Sequence, residues 1–306
     1  MLRAIFIGLS ESKTLRGVAE RSRAGQRMSG RFVAGTQPED ALRATAALNS
    51  SGLSVSIDNL GENVTNADEA RHSAELYHHL LDEISARKLD ANVSLKLTHM
   101  GLDVDETLAR DIVDGLVAHA ARLGSFVRVD MEGSAYTQKT LDVVRELHER
   151  TGNAGHVGAV IQSYLHRSER DVESLCGDGI RIRLCKGAYK EPAEIAFQKK
   201  ADVDANFVKL MKILLKSGTY HGIATHDPKM IDATIAFAKS ENIAADQFEF
   251  QMLYGIRRDL QQQLVRDGWR MRVYLPFGTE WYPYLMRRLA ERPANVFFIA
   301  KNVLRR

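Results

Sequence analysis

The sequence predicts a TIM-type (β/α)8 barrel with extra N-terminal helices, and three observations predict it. From residue 54 onward, eight short β-branched runs alternate with longer stretches of helical periodicity. The runs recur about every 31 residues, which is the length one βα unit needs. No G-x-G-x-x-G or G-x-x-x-x-G-K-S/T string follows any of them, so the sequence sign of an open dinucleotide-binding or P-loop sheet is missing.

Residues 1–53 are expected to form a helical arm that caps or flanks a barrel spanning 54–306. Two stretches of the arm, KTLRGVAERSRAG (13–25) and PEDALRATAALNSSG (38–52), carry apolar residues at helical spacing and are separated by RFVAG (31–35). The strands then follow as SVSID (54–58), NVSLKL (92–97), FVRVD (126–130), HVGAVIQ (156–162), IRIRLCK (180–186), GIATH (222–226), FEFQM (248–252) and RMRVYL (270–275). Three helix starts are marked: Thr137 ahead of QKTLDVVRELHE, Ser168 with Asp171 at capping-box spacing, and Asp227 before Pro228 at the first helical position. No linker rich in Pro, Gly or Ser divides the chain, so one structural unit is expected.

Composition bounds the function. In 306 residues, 42 Lys+Arg against 39 Asp+Glu leave a net charge of +3, with 44% apolar and 26% charged residues. Those values are ordinary for a globular protein and exclude disordered, collagen-like and disulfide-framework classes. Interleaved charges argue against dedicated nucleic-acid binding. Cys176 and Cys185 are too few for a disulfide scaffold or a zinc site, so a reducing cytosol and no metal are expected. The start MLRAIFIGLSESK has an apolar stretch of about seven residues and no cleavage site, unlike a signal peptide. No run approaches the ~18 apolar residues of a membrane span. His99 and His166 read as surface residues, in no metal-ligand spacing.

Side chains alternate along a strand, so the aliphatic set under the helices dictates what points inward. With Val55, Ile57, Val93, Leu95, Val127, Val129, Ile182, Leu184, Phe248 and Phe250 outward, the interior receives Ser56, Asp58, Ser94, Lys96, Arg128, Asp130, Arg181, Arg183, Glu249, Gln251, Arg272 and Tyr274. A barrel interior is ordinarily layered with branched apolar residues, and an unpaired buried ion costs several kcal/mol, so these charges must pair with one another or with a ligand. The deeper Arg128, Arg181, Glu249 and Arg272 read as a structural salt-bridge lattice. Lys96, Asp130 and Arg183 lie at the C-terminal strand ends, where barrel active sites form. Such a ring suits a small zwitterion whose carboxylate sits on cations. Beyond the last strand, Tyr284, Arg287, Arg288 and Glu291 share one helical face, and two adjacent guanidinia offer forks for a carboxylate.

Together these residues resemble the proline dehydrogenase family, flavin enzymes that oxidise proline to Δ1-pyrroline-5-carboxylate. The resemblance covers about residues 50–300, through DNLGEN (58–63), SLKLT (94–98), RVDMEG (128–133), VIQSY (160–164), IRLCKGAY (182–189), ATHD (224–227), FEFQMLYG (248–255), YLPFG (274–278) and YPYLMRRLAERPAN (282–295). It implies FAD as cofactor, L-proline as substrate and a role in proline catabolism. It also implies that Lys96, Arg287 and Arg288 hold the substrate carboxylate, with Tyr274 and Tyr284 around the proline ring. Asp130 and Arg183 match the family's active-site pair, Arg183 near the flavin N5. Gln162, Lys186, Gly187, Ala188, Thr225 and His226 match its FAD contacts, Met131 is a further contact, and Glu62 matches a gate residue that pairs with the second arginine. Lys190 departs from the aromatic residue that some members carry after GAY. Ending at Arg306 without an aldehyde dehydrogenase module, the chain looks monofunctional. A membrane quinone is the acceptor the family implies, reached from a cytoplasmic protein by peripheral contact, since no strong amphipathic anchor stands out.

Two other classes fit some of the same residues. A Schiff-base lyase on this fold would use Lys96 or Lys186 as amine nucleophile. A noncatalytic barrel would merely bind an amino acid, and the full Lys96, Asp130, Arg183, Arg287 and Arg288 set argues against it.

Overall fold

The computed structural model describes Gly17, Ser22, Gly25 and residues 29–61 and 63–291. Within them the strands β1 (Ser54–Asn59), β2 (Ala91–Leu95), β3 (Val127–Val129), β4 (Val157–Gln162), β5 (Arg181–Cys185), β6 (His221–Ala224), β7 (Phe248–Leu253) and β8 (Met271–Phe277) close in sequence order into a parallel barrel. All eight expected strands are present, with no end displaced by more than two residues. β8 returns to β1 with Ser56 opposite Tyr274 and Asp58 opposite Pro276.

Helices α1 (Pro38–Asn49), α2 (Ala67–Ala86), α3 (Glu106–Arg122), α4 (Ser134–Glu149), α5 (Ser168–Gly177), α6 (Lys200–Lys216), α7 (Pro228–Ser240), α8 (Arg258–Arg266) and α9 (Trp281–Glu291) complete the described elements. The outward aliphatic set, from Val55 and Ile57 to Val273 and Leu275, is fully buried in one continuous core beneath the helices. α1 packs against β1 and β8 and covers the seam where the barrel closes. Just before it, Ala34 N donates to Pro276 O (2.9 Å) and Gly278 N to Gly35 O (3.0 Å), tying the arm to the end of β8. α9 packs elsewhere: Trp281, Tyr282, Tyr284, Leu285 and Met286 form a separate apolar cluster with Phe32, Val33 and Leu60. The helix after the last strand is thereby placed over the loop that follows β1. The stretch expected to be helical over 13–25 lies outside the described residues apart from Gly17, Ser22 and Gly25. Among the described residues, no helix is long and apolar enough to cross a membrane.

Two helix starts differ from expectation, and side-chain partners, one distant and one local, explain them. α4 begins at Ser134, three residues ahead of Thr137, because Glu191 accepts from Ser134 N (2.7 Å) and Ser134 Oγ (2.6 Å). A carboxylate at a helix N-terminus meets unsatisfied N–H groups and the positive end of the dipole, so the helix extends to reach it. Ser168 is the first residue inside α5; its hydroxyl donates to Gln162 O (2.5 Å), while Asp171 is bound by Arg167 (2.6 Å), so no capping box forms. Asp227 caps α7 as expected, accepting from Lys229 N (3.1 Å) with Pro228 at the first helical position.

The interior is polar, as the alternation requires. Its deeper layer is a lattice only in part. Arg272 Nε donates to Glu249 Oε1 (2.7 Å), and burial, which alone would raise that carboxyl, is outweighed by Arg272, Gln251 and Tyr220, which hold it low. Arg128 and Arg181 do not join this pair. Arg128 Nη1 donates instead to the carbonyls of Ala159 (2.9 Å) and Arg181 (2.6 Å), with its guanidinium 4.7 Å from the Phe126 ring centre. Gly158 makes the room, since a Cβ there would stand 2.7 Å from Arg128 Nη1 and 2.3 Å from Arg181 O. Carbonyl dipoles and a ring face replace the expected carboxylate.

Candidate active site

The upper layer is built around Arg183, which is 6% exposed. Its Nε donates to Gln251 Oε1 (2.6 Å), Nη1 to Asp130 Oδ1 (2.7 Å) and Ser94 Oγ (3.2 Å), and Nη2 to Ser56 Oγ (3.1 Å). Five strands or strand ends therefore fix one guanidinium, because Tyr274 of β8 also donates its hydroxyl to Asp130 Oδ2 (2.8 Å) and places its ring 5.1 Å from the guanidinium carbon. Burial, then Asp130, push the Tyr274 phenol well above its ordinary value, so it remains an O–H donor. Gln251 bridges the layers by donating to Glu249 Oε1 (2.6 Å), and it fits because Gly222 on β6 has no Cβ, which would lie 2.3 Å from Gln251 Nε2.

Lys96, immediately after β2, points its ammonium at the buried Asp58, 3.4 and 3.5 Å from its two oxygens. Burial pushes the Asp58 carboxyl up to about 6, with Lys96 pulling it down and Asp130 pushing it up. The Lys96–Asp58 pair and the Asp130–Arg183–Tyr274 unit thus feel one another. Arg288 on α9 lies with its guanidinium 5.3 Å from the ring centre of Tyr284, which is buried in the apolar cluster beneath it. Arg287 belongs to the same helix, but its side chain lies outside the described residues, as does Glu62 entirely.

A second group gathers at the ends of β4, β5 and β6. Gln162 donates from Nε2 to Glu132 O (2.9 Å) and Met131 O (3.4 Å), which fixes its amide orientation. Its Oε1 is buried with no partner among the described residues. Lys186 reaches Asp204 (2.5 Å) and Asp227 (2.8 Å), and Lys200 spans the same two carboxylates. Burial would raise Asp227, but its bonds to Lys186 and Lys229 N prevail and hold it down at about 2. Gly187 adopts φ +107°, and a Cβ there would lie 2.3 Å from the Tyr164 ring, so glycine is required on both counts. Thr225 Oγ1 accepts from Asp227 N (3.1 Å), and His226 Nε2 accepts from Leu253 N (2.9 Å), so that ring is neutral with its proton on Nδ1. Ala188 is exposed beside Gly187.

Sequence reasoning missed several residues of this site. Ser56, Ser94 and Gln251 carried an inward signal from alternation but no role. Asp204 carried no signal, lying on α6, far in sequence from the strand-end lysine it binds. His99 is not at the surface: it is 6% exposed, its Nε2 lies 3.0 Å from Ser73 Oγ, and burial followed by Lys96 lowers it to about 4. Gly61 lies against it, where a Cβ would stand 2.3 Å from Nε2. His166 is exposed, edge-on to Phe197. Among the described residues, no group of three or more His, Cys, Asp or Glu could hold a metal ion.

A family model described as proline dehydrogenase matches residues 41–301. "Proline dehydrogenase 2" of Bacillus subtilis is 41% identical over 304 residues, covering 99% of each chain. "Proline dehydrogenase" of Deinococcus radiodurans is 41% identical over 303 residues, covering 96% of this chain and 97% of its own. Among solved structures, proline utilization A of Bdellovibrio bacteriovorus inactivated by N-propargylglycine superposes with a TM-score of 0.83 at 28% identity. That match covers 89% of this chain and 33% of the other, so the present chain spans about a third of that larger protein.

Proposed function

The chain belongs to the proline dehydrogenase family, and on that premise we propose that its upper barrel layer oxidises L-proline to Δ1-pyrroline-5-carboxylate with FAD as cofactor. The oxidation of proline as the first step of proline catabolism is the activity of this family, and the chain is an oxidoreductase acting on CH–NH donors.

The residues at the ends of β4 to β6 fit a flavin dinucleotide. Gln162 Oε1 is a buried acceptor that lacks an N–H donor, a state that costs roughly 1–3 kcal/mol until a ligand supplies one. Lys186 offers a cation beside a glycine turn exposed to solvent, suited to a diphosphate. Met131, Gln162, Arg183, Lys186, Gly187, Ala188, Thr225 and His226 would hold FAD, which when bound accepts the hydride removed from the substrate.

The protein's own part is to bind, orient and stabilise charge. Lys96, Arg287 and Arg288 would clamp the substrate carboxylate, which fixes the reacting carbon and contributes through positioning. Arg183 cannot swing away, because every bond it makes is to a different side chain, so it presents a fixed cation to negative charge developing during the reaction. Asp130 holds Arg183 and Tyr274 together, and the Tyr274 ring would pack on the substrate with Tyr284. Glu62 would close the mouth by pairing with Arg288. Lys96 and Lys186 are each engaged by carboxylates, so neither nitrogen is presented as the nucleophile of a Schiff-base lyase. A quinone-type acceptor, reached by peripheral contact with a membrane from the cytoplasm, would complete the cycle.

The observation that carries this reading is the closed Arg183–Asp130–Tyr274 unit beside the Lys96–Asp58 pair at one end of the barrel. Anaerobic titration of FAD-loaded protein with proline tests it. Stoichiometric bleaching of the flavin band is expected; a band that persists at saturating proline would refute it.

A further inference from the structure

The opposite, N-terminal end of the barrel holds three arginines that proline oxidation does not use. They alternate with two aromatic rings. The guanidinium carbons of Arg128 and Arg181 lie 4.7 and 5.3 Å from the Phe126 ring centre, and those of Arg181 and Arg270 lie 5.8 and 5.6 Å from that of Tyr220. Arg270 is exposed, Arg181 half-buried, and Arg128 buried at 5% exposure.

The acids of this stack lie at its outer side, where Glu249 accepts from the Tyr220 hydroxyl (3.0 Å) and Asp246 acts on Arg270. Neither Arg128 nor Arg181 has a carboxylate within 4.0 Å among the described residues. Both protein hydrogen bonds of the Arg128 side chain leave from Nη1, so Nε and Nη2 have no acceptor there. Glu249 is already engaged by Arg272, Gln251 and Tyr220, Asp90 takes Ser54 Oγ (2.5 Å) and lies 3.9 Å from Arg272, and Asp246 and the Tyr220 hydroxyl act on the outer Arg270. Ring faces attract cations but accept no strong hydrogen bond, so they cannot satisfy these forks. Burial, and next the charge of Arg183, push Arg128 well below its ordinary value and outweigh the more distant pull of Glu249 and Asp130.

We propose that this end of the barrel is an oxyanion site, in which a phosphate group seats against Arg128 and Arg181 with Arg270 at its entrance. Guanidinium forks match phosphate oxygens bidentately, and three of them suit a dianion better than a single carboxylate. Free phosphate and the phosphate of a small monoester share this chemistry. The site is separate from the proline mouth and does not depend on the flavin.

Calorimetric titration of the FAD-loaded protein with inorganic phosphate, at ionic strength matched with chloride, tests the proposal. Saturable binding is expected, weakened at least about tenfold, or about 1.4 kcal/mol, in Arg181→Gln, and several-fold in Arg270→Gln. Arg288→Met at the far end should bind phosphate as the unmodified protein does, and Arg181→Gln should keep its kcat/KM for proline. A parallel titration with glycerol phosphate identifies the source: the same dependence on Arg181 makes an ester the occupant, and binding of inorganic phosphate alone makes it the free ion. No saturable binding, equal affinity in Arg181→Gln and Arg270→Gln, or a loss confined to Arg288→Met would overturn the assignment.

Discussion

Replacing Asp130 by alanine should loosen the upper layer of the barrel, and the structure says by how much. Three donors converge on that carboxylate: Ser94 Oγ and Arg183 Nη1 on Oδ1, and the Tyr274 hydroxyl on Oδ2. Removing one partner of a buried ion pair costs roughly 3–5 kcal/mol, because the remaining charge stays desolvated. Ser94 and Tyr274 can turn toward water admitted by the smaller side chain, which places the expected loss near the lower end, about 3 kcal/mol. Asp130→Asn keeps one acceptor oxygen and the shape of the site, so it should lose about 1–2 kcal/mol. Activity should follow the same order. On the proposed roles, a misplaced Arg183 would cost transition-state stabilisation, so kcat should fall by about two decades in the alanine variant, with KM moving less because no residue of the proposed carboxylate clamp is replaced. Urea denaturation of the FAD-loaded protein, followed by tryptophan fluorescence, together with steady-state kinetics, provides the measurement. An alanine variant within about 1 kcal/mol of the unmodified protein, or an asparagine variant equally damaged, would show that the carboxylate does not organise the layer.

Three other outcomes are expected. His221 accepts from Ile182 N through Nδ1 (3.0 Å), and burial, then Arg128, lower it to about 3. Since the unfolded chain takes up this proton near 6.5, the folded protein should lose roughly 5 kcal/mol as pH falls from about 6.5 to 3. His221→Asn, which keeps an acceptor for Ile182, should flatten that loss in urea titrations; parallel curves for the two proteins would exclude it, and His99 cancels from the difference. Arg288→Met should raise KM for proline by about one to two decades with flavin content retained, and an unchanged KM would remove Arg288 from the carboxylate clamp. Tyr274 should make the enzyme prefer proline to 4-hydroxyproline, because a buried hydroxyl without a partner costs about 1–3 kcal/mol. Tyr274→Ser should narrow the gap in kcat/KM between the two substrates, and a gap that survives unaltered would place selectivity elsewhere.

The barrel was legible in the sequence because two signals of different period agree. Val55 and Ile57 alternate with Ser56 and Asp58 at the period of a strand, and the strands themselves recur at the period of a βα unit. Alternation also delivered Asp130, Arg183 and Tyr274 to one interior before any partner was known. What stayed hidden depends on contacts between distant residues. Glu191 moves the start of α4, Asp204 meets Lys186 from another element, and His99 is buried because α2 supplies Ser73 and the loop after β1 supplies Gly61. Arg128 and Arg181 read as lattice members because an unpaired buried ion is costly; only the folded side chains show Glu249 committed to Arg272.

The seam beneath α1 also has a meaning for how the chain reaches this shape during synthesis. Arg272 Nη1 donates to Val55 O (2.8 Å) across 217 residues, so the last ladder of the barrel joins a strand made early to one made late. Until β8 emerges, β1 presents an open edge that could capture the wrong strand, the usual hazard of slow parallel pairing. α1 precedes β1 in the chain and packs on it directly, so the face of that edge can be covered from the moment the strand exists. In that order of synthesis α1 would shield the apolar side of the first strand while the ring is completed from the far direction.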